Sequence, residues 1–217
     1  MEPAHVSAII SAIAGITGVL LGNGLVAFKE RRANHSREIQ ETTYLGAIVV
    51  SHLDRFASGC CEVAMDDGTE QGRPAGVGGE YVTVAKPPEF RPLDINVSWK
   101  LLPKDLMYSI LRLPDEQDQL NGNLAGINEF NPDPPDHIEF FQARQRGYAV
   151  LGLHASDLAE KLRLYAGFPA PVLDPGEWSR DKSMKEVIED IDAKRAAYQL
   201  RQAARSQLFD AADNENE

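Results

Sequence analysis

Residues 138–165 read IEFFQARQRGYAVLGLHASDLAEKLRLY and contain the most regular helical pattern in the chain. Core-type positions recur every three or four residues, at Ile138, Phe141, Gln145, Tyr148, Leu151, Ala155, Leu158, Leu162 and Tyr165. This spacing places them on one face of an α-helix. Gly167 and Pro169 follow as stop signals. A helix of roughly 45 Å, at about 1.5 Å per residue, is typical of a helical bundle.

Three other stretches predict helices that could pack against this one. The first has apolar positions from Leu45 to Val63 and ends near Asp67-Gly68. The second begins after Pro103, is expected to break at Pro114, and continues to Ile127. The third begins near Trp178, with Ser179 as the expected N-cap. Asp133 is the expected N-cap of the long helix, with Pro134 at its first position.

Residues 68–102 differ from these helical stretches in composition. Glycines and prolines are frequent, Tyr81-Val82-Thr83-Val84 is β-prone, and apolar and polar residues alternate from Leu93 to Leu101. Alternation of this kind indicates a half-buried strand. Because two isolated strands are marginally stable in water, the segment must pack on the helices or remain an irregular flap. The sequence thus predicts a small extended or β insert at about residues 80–101.

The N-terminal stretch from Val6 to Phe28, VSAIISAIAGITGVLLGNGLVAF, contains 23 residues without a charge. As a helix it would measure about 35 Å, enough to cross a hydrocarbon core of about 30 Å. A buried N-terminal helix is the alternative, but such helices rarely lack charge for so long. A cleaved signal peptide is disfavoured because residues 1–5 contain no Lys or Arg. We therefore expect a single transmembrane helix, continuous with the helix that follows.

Basic residues follow this run and none precedes it. They form a juxtamembrane collar of Lys29, Arg31, Arg32 and Arg37. Because basic flanks stay in the cytoplasm, we expect the N-terminus outside and the C-terminal body inside. The collar would contact anionic lipid headgroups. From Glu38 onward the net charge is −13, so only the collar should contact the membrane.

A stripe of small residues within the run suggests a second contact. Ala14, Gly18 and Gly22 are spaced four apart, and Asn23 could hydrogen-bond across an interface. This spacing lets two membrane helices approach closely and predicts a homo-oligomer. The alternative is that Gly and Ala are simply common in membrane helices.

The whole chain has 217 residues, 43% hydrophobic residues and a net charge of −11, which excludes a disordered acidic chain and a disulfide-rich scaffold. The predicted fold is mainly α, with a transmembrane helix followed by an antiparallel helical bundle. The predicted segments are a short tail at 1–5, the span at 6–28, the collar at 29–37, a cytoplasmic body at 38–209 and a disordered acidic tail at 210–217.

The residues that could carry chemistry form no catalytic, cofactor or metal pattern. Cys60 and Cys61 are expected to be reduced thiols, with Cys60 on the core face. His52, Cys60 and His154 could be brought together by helix packing, although satisfied core histidines are more common. Ser179 and Lys182 match a Ser-x-x-Lys spacing, but an N-cap explains the serine better. The acidic body disfavours nucleic acid, and no cofactor is expected.

Two segments resemble a family of uncharacterised, membrane-anchored bacterial proteins. They are Ser98–Pro103 continuing into Leu106–Pro114, and Arg144–Ala155, together about the middle third of the chain. The resemblance implies a bacterial inner membrane and carries no activity or site residue.

Three functions remain open. The first is a membrane-anchored scaffold or interaction module with an unidentified protein partner, of which a phage-type lysis protein of opposite orientation is a variant. The second is a sensor or effector component that responds to a ligand or partner through the 68–102 segment. The third is an enzyme of an unrecognised class, which would need a deep pocket lined by His52, His154 or several carboxylates.

Overall fold

The computed structural model describes residues 3–169 and 178–214, and side chains from 29 to 169 and from 178 to 206. Four helices account for most of these residues: α1 (Pro3–Met65), α2 (Lys104–Phe130), α3 (Ile138–Tyr165) and α4 (Arg180–Asn214). Two short antiparallel strands, β1 (Thr69–Glu70) and β2 (Arg73–Pro74), pair between α1 and α2. The prediction of a mainly helical bundle is confirmed.

Helix α3 lies at the centre of the bundle and runs antiparallel to the other three helices. Along α1, Gly46 lies next to Ala166 and Cys60 next to Gly152, and just past the end of α1 Gly68 lies next to Phe141. Along α2, Glu116 binds His154 and Asn121 binds Tyr148. Along α4, Ser156 binds Asp181 and Arg146 binds Asp192. Helices α1, α2 and α4 therefore share one direction around α3.

The core forms where these helices meet. Its largest fully buried side chains, listed in chain order, are Leu45, Val49, Leu53, Phe56, Cys60, Val63, Ile110, Leu113, Tyr148, Leu162 and Met184. Close packing at the centre requires glycine at position 152. A Cβ atom there would lie 2.6 Å from Sδ of Met184 and 2.9 Å from Cβ of Cys60. At this position α1 and α4 both pack closely against α3.

The segment between α1 and α2 connects two helices that point the same way, so it must return along the length of the bundle. We call residues 84–102 the strap. Pro88 of the strap packs on Gly59 of α1, and Phe90 packs on Phe56. Three side chains of the strap are buried, those of Phe90, Ile95 and Leu102. Two short 3-10 helices interrupt it, at Pro92–Asp94 and Trp99–Leu101.

The strands predicted from residues 81–84 and 93–101 are wrong. The backbone hydrogen bonds within the strap are local rather than those of a strand pair, such as Ile95 N–H to Pro92 O and Trp99 N–H to Val97 O. The alternating apolar residues do not form one buried face, because Leu93 is 81% exposed while Ile95, two residues later, is buried. The two short strands lie instead at residues 69–74, ahead of the expected insert.

Three predicted boundaries also differ from the structure. Helix α2 continues through Pro114, because a proline within a long packed helix removes one hydrogen bond without ending the helix. Asp133 does not begin α3; its Oδ2 instead accepts the N–H of Ile138 at 3.0 Å. Helix α4 extends to Asn214, into the tail that was expected to be disordered, and residues 215–217 lie outside the described residues.

Two predicted helix signals are confirmed. Gly167 has φ of +75°, and the N–H of Phe168 donates to Arg163 O at 2.9 Å, which ends α3 in a Schellman motif. Ser179 precedes α4, and its Oγ accepts the N–H of Lys182 at 3.4 Å. The first helix is also continuous, as expected, from Pro3 to Met65.

Within the part of the chain that was described, no helix combines the length and the apolar character needed to cross a membrane. The run at residues 6–28 forms the first part of α1, and its side chains lie outside the described residues. The expected membrane span therefore stays a prediction.

Candidate functional site

The most distinctive polar site is a buried ion pair between the end of α1 and the middle of α3. The Nη1 atom of Arg144 lies 2.7 Å from Oδ2 of Asp66, and both side chains are only 4% exposed. A buried charge is costly unless it is paired and hydrogen-bonded. This site meets both conditions, as its further contacts show.

Asp66 and Arg144 together hold the first residues of the strap. Oδ2 of Asp66 accepts the N–H groups of Val84 and Ala85, each at 2.9 Å, and Oδ1 accepts the N–H of Gly68 at 3.0 Å. Nη2 of Arg144 donates to the carbonyl of Ala85 at 2.6 Å. The ion pair thus replaces the strand partner that the extended backbone lacks.

The pKa of Asp66 results from two opposing effects. Burial disfavours the carboxylate and raises the pKa. The hydrogen bonds from the amides of Ala85 and Gly68, from Arg144 and from the amide of Val84 outweigh burial, so the pKa lies below its ordinary value. The carboxylate is therefore held ionised, as suits a structural clamp rather than a proton donor near neutral pH.

A second polar cluster joins the start of α4 to α1 and α3. Arg180 donates to the carbonyl of Asp54 at 2.9 Å, to Oγ of Ser58 at 3.2 Å and to Oγ of Ser156 at 2.7 Å. Ser156 donates in turn to Asp181 at 2.9 Å. Arg163 also binds the carboxylate of Asp54. Because each cation has a carboxylate neighbour, this cluster fastens three helices together.

The structure does not bring His52, Cys60 and His154 into one site. His52 lines an open cleft beside the strap with Glu89 and Arg91. His154 lies on another face, where Nδ1 is 2.9 Å from Oε2 of Glu116 in α2. Burial, followed by the nearby charge of Arg55, lowers the pKa of His52.

Both cysteines are free and buried, and Cys60 packs on the core face as predicted. Burial raises the pKa of the Cys60 thiol far above its usual range. Such a thiol is protonated and unreactive at neutral pH. Among the side chains that the structure describes, no three His, Cys, Asp or Glu residues are grouped as metal ligands.

The surface clefts are open grooves between neighbouring elements. A cleft of about 720 Å³ lies between the N-terminal end of α3 and α4. The cleft beside His154 and Glu116 measures about 280 Å³, and the one beside His52 about 420 Å³. Both histidines therefore line open clefts.

The predicted membrane-contact residues Lys29, Arg31, Arg32 and Arg37 are all exposed on α1, ahead of the bundle. The predicted helix–helix contacts at Ala14, Gly18, Gly22 and Asn23 lie outside the described side chains. The collar side chains are thus exposed, and their contact with lipid stays a prediction.

Asp66 and Arg144 were not singled out from the sequence. Arg144 lies three residues after Phe141 and four before Tyr148, so it occupies a core-facing position of α3. A charge at such a position requires a buried partner. That signal was present, but the sequence does not show which of many carboxylates supplies the partner.

No protein-family model matches this chain, and no curated protein or solved structure resembles it at a significant level. The resemblance of residues 98–114 and 144–155 to membrane-anchored bacterial proteins therefore stays a prediction.

Proposed function

We propose that this chain is a single-pass, membrane-anchored helical scaffold that presents its bundle to a protein partner on the cytoplasmic side of a bacterial inner membrane. The observation that carries this proposal is the 23-residue uncharged run followed directly by a basic collar. The uncharged run is long enough to cross a bilayer as a helix, and the basic collar indicates which end of that helix lies in the cytoplasm. The partners are the bilayer, a second copy through Ala14, Gly18, Gly22 and Asn23, and an unidentified protein.

The course of α1 supports this proposal. One helix continues from the run, through the exposed collar, into the packed face at Leu45 and Val49. Residues 29–44 would extend over about 24 Å as a helix, at about 1.5 Å per residue. An anchor of this kind would hold the bundle away from the headgroups, so that its sides stay accessible to a partner.

The clusters at Asp66–Arg144 and Arg180–Asp54 also favour a scaffold. In both, cations and carboxylates are used to fasten segments of the chain to one another. A sensor that works by releasing the segment 68–102 is less favoured, because the strap buries Phe90, Ile95 and Leu102 in the shared core.

Membrane flotation of the full-length chain tests the anchor. We expect the chain to float with inner-membrane vesicles and to resist extraction by high salt. The Leu20→Arg variant should move to the soluble fraction, because an arginine at the centre of a span costs about 3 kcal/mol. Ala33→Arg, in the exposed collar, is the matched control and should still float. Recovery of the unmodified chain in the soluble fraction would contradict the proposal.

Protease protection in spheroplasts tests the orientation separately. Residues 38–209 should resist protease added from outside and be digested after lysis. Digestion of this body before lysis would show that the orientation is reversed, and would favour the lysis-protein variant instead.

A further inference from the structure

We infer that two copies of this chain associate through the end of the bundle farthest from the collar, with a basic stretch of α4 from each copy against an acidic tip of the other. We call residues 193–206 of α4 the arm. We call the exposed carboxylates of Glu129, Asp133, Asp136 and Glu139, at the α2–α3 loop, the tip. This inference goes beyond the proposed function and does not depend on the anchor.

The arm carries α4 along the start of α3 and past its end. Arg146 of α3 binds Asp192 of α4 at 2.6 Å, and α3 begins only eight residues earlier, at Ile138. Because the two helices run antiparallel, α4 passes the end of α3 near residue 200. Among the side chains of α4 that the structure describes, the last buried apolar residue is Ile191, while Tyr198 is 59% and Leu200 72% exposed. A helix of this kind is marginal in water unless something packs on it.

The arm and the tip carry opposite charges. Residues 193–206 contain four basic residues, Lys194, Arg195, Arg201 and Arg205, and no acidic residue. The tip is acidic. The N–H of Tyr81 donates to the carbonyl of Pro135 in the α2–α3 loop, which places the acidic Glu80 beside the tip. The surface is therefore basic along residues 193–206 and acidic at the tip beside them.

The arm and the tip of the same chain face each other across a groove. An open cleft of about 720 Å³ separates them, lined by Asp133, Ile138 and Glu139 on one wall and by Arg195, Tyr198 and Arg201 on the other. Ile138 and Tyr198 expose apolar surface on opposite walls. The cleft thus combines apolar surface with complementary charge.

A second copy fits this surface better than other partners. A two-fold interface needs one patch that complements itself, and a basic arm beside an acidic tip does so. The phosphates of a nucleic acid would be attracted to the basic arm but repelled by the carboxylates of the tip beside it. Two copies leaning together at their tips would also leave both collars free to reach one membrane.

Interchain cross-linking of the full-length chain in detergent tests this arrangement. One tagged chain carries Arg201→Cys and the other Asp136→Cys, and the native Cys60 and Cys61 are buried. With a mild oxidant added, we expect an interchain disulfide whose yield falls at high salt, because exposed charges are screened. Lys104→Cys, at the opposite end of the bundle, replaces Arg201→Cys in the matched control. Cross-linking no greater than in that control would overturn the inference. A single chain that carries both Arg201→Cys and Asp136→Cys is also tested, and a disulfide formed only within that chain would overturn the inference as well.

Charge exchange provides the second test and is independent of the membrane helix. Reversal of the arm by Arg195→Glu and Arg201→Glu should weaken self-association at least about tenfold, and so should reversal of the tip by Glu129→Lys and Asp136→Lys. A mixture of the two reversed chains should restore association. Gly18→Ile in every chain removes any contribution from the predicted membrane contact. Failure of the mixture to associate, or unchanged association of each reversed chain alone, would contradict the inference.

Discussion

Residues 45–65 and residues 29–41 belong to the same helix, but their surroundings differ. In the first stretch Leu45, Val49, Leu53 and Phe56 are buried against α3 and the strap. In the second, every side chain is exposed. The same backbone conformation is therefore maintained in two ways: by core packing after Leu45, and by continuity with its neighbours before it. The comparison teaches that a continuous helix does not imply a continuous core.

The largest effect should come from breaking the buried ion pair at the end of the packed half. Arg144→Leu leaves Asp66 charged and unpaired, and we expect a loss of about 3–5 kcal/mol in the free energy of unfolding. Urea titration measures it. Arg146→Leu is the matched control on the same helix, because its partner Asp192 is exposed, and it should lose less than about 1 kcal/mol. Equal losses would mean that the pair at Asp66 does not clamp the strap.

The comparison itself is tested by truncating one apolar residue in each half of α1. Leu53→Ala removes a fully buried side chain and should lower the free energy of unfolding by about 2–5 kcal/mol. Ile39→Ala removes a side chain that is 53% exposed and should change it by less than about 0.5 kcal/mol. Both are measured by the same urea titration. A large loss at Ile39 would reveal a packing partner for the exposed half.

Much of the bundle could be predicted because its signals are local. Periodicity places α3 and its stop at Gly167, and Ser179 caps α4, because both depend on residues within one helical turn. The strap could not be predicted in this way. Its alternating residues have the strand period, but at its start the N–H of Val84 is bound by Asp66, 18 residues away, and the carbonyl of Ala85 by Arg144, 59 residues away.

The site was harder to predict than the fold for a related reason. The position of Arg144 on a core face is visible in the sequence, but its pairing with Asp66 spans 78 residues. Pro114 shows the same limit: the local rule predicts a break, and packing of α2 on α3 overrides it. Local chemistry therefore places the helices, while contacts between distant residues decide how the connections run.

Glycine substitutions sharpen the same contrast between packed and open helix surfaces. Gly152→Ala places a methyl group between Met184 and Cys60, and should lower the free energy of unfolding by about 1–3 kcal/mol. Gly126→Ala in α2 is the control, because nothing lies within 4 Å of its Cβ position. It should raise stability by about 0.5–1 kcal/mol. A loss at both positions would contradict the packing described for α3.

The smallest effect expected is the pH dependence of the clamp. The pKa of Asp66 is lowered in the folded chain, so its stabilising contribution is fully present above the unfolded pKa of about 4. That contribution is lost as the pH falls through the lower folded value. Urea titrations at pH 7 and pH 3 should therefore show a smaller pH-dependent loss for Asp66→Asn than for the unmodified chain. Identical losses would show that Asp66 does not titrate with unfolding.

Hydrogen exchange along α1, in the full-length chain reconstituted in lipid bilayers, tests the central claim most directly. We predict slow exchange for amides of residues 6–28 and of residues 45–65, separated by residues 29–41 that exchange at least about a hundredfold faster. Exchange in residues 6–28 as fast as in residues 29–41 would contradict the account, because the first part of α1 would then be in water rather than in lipid.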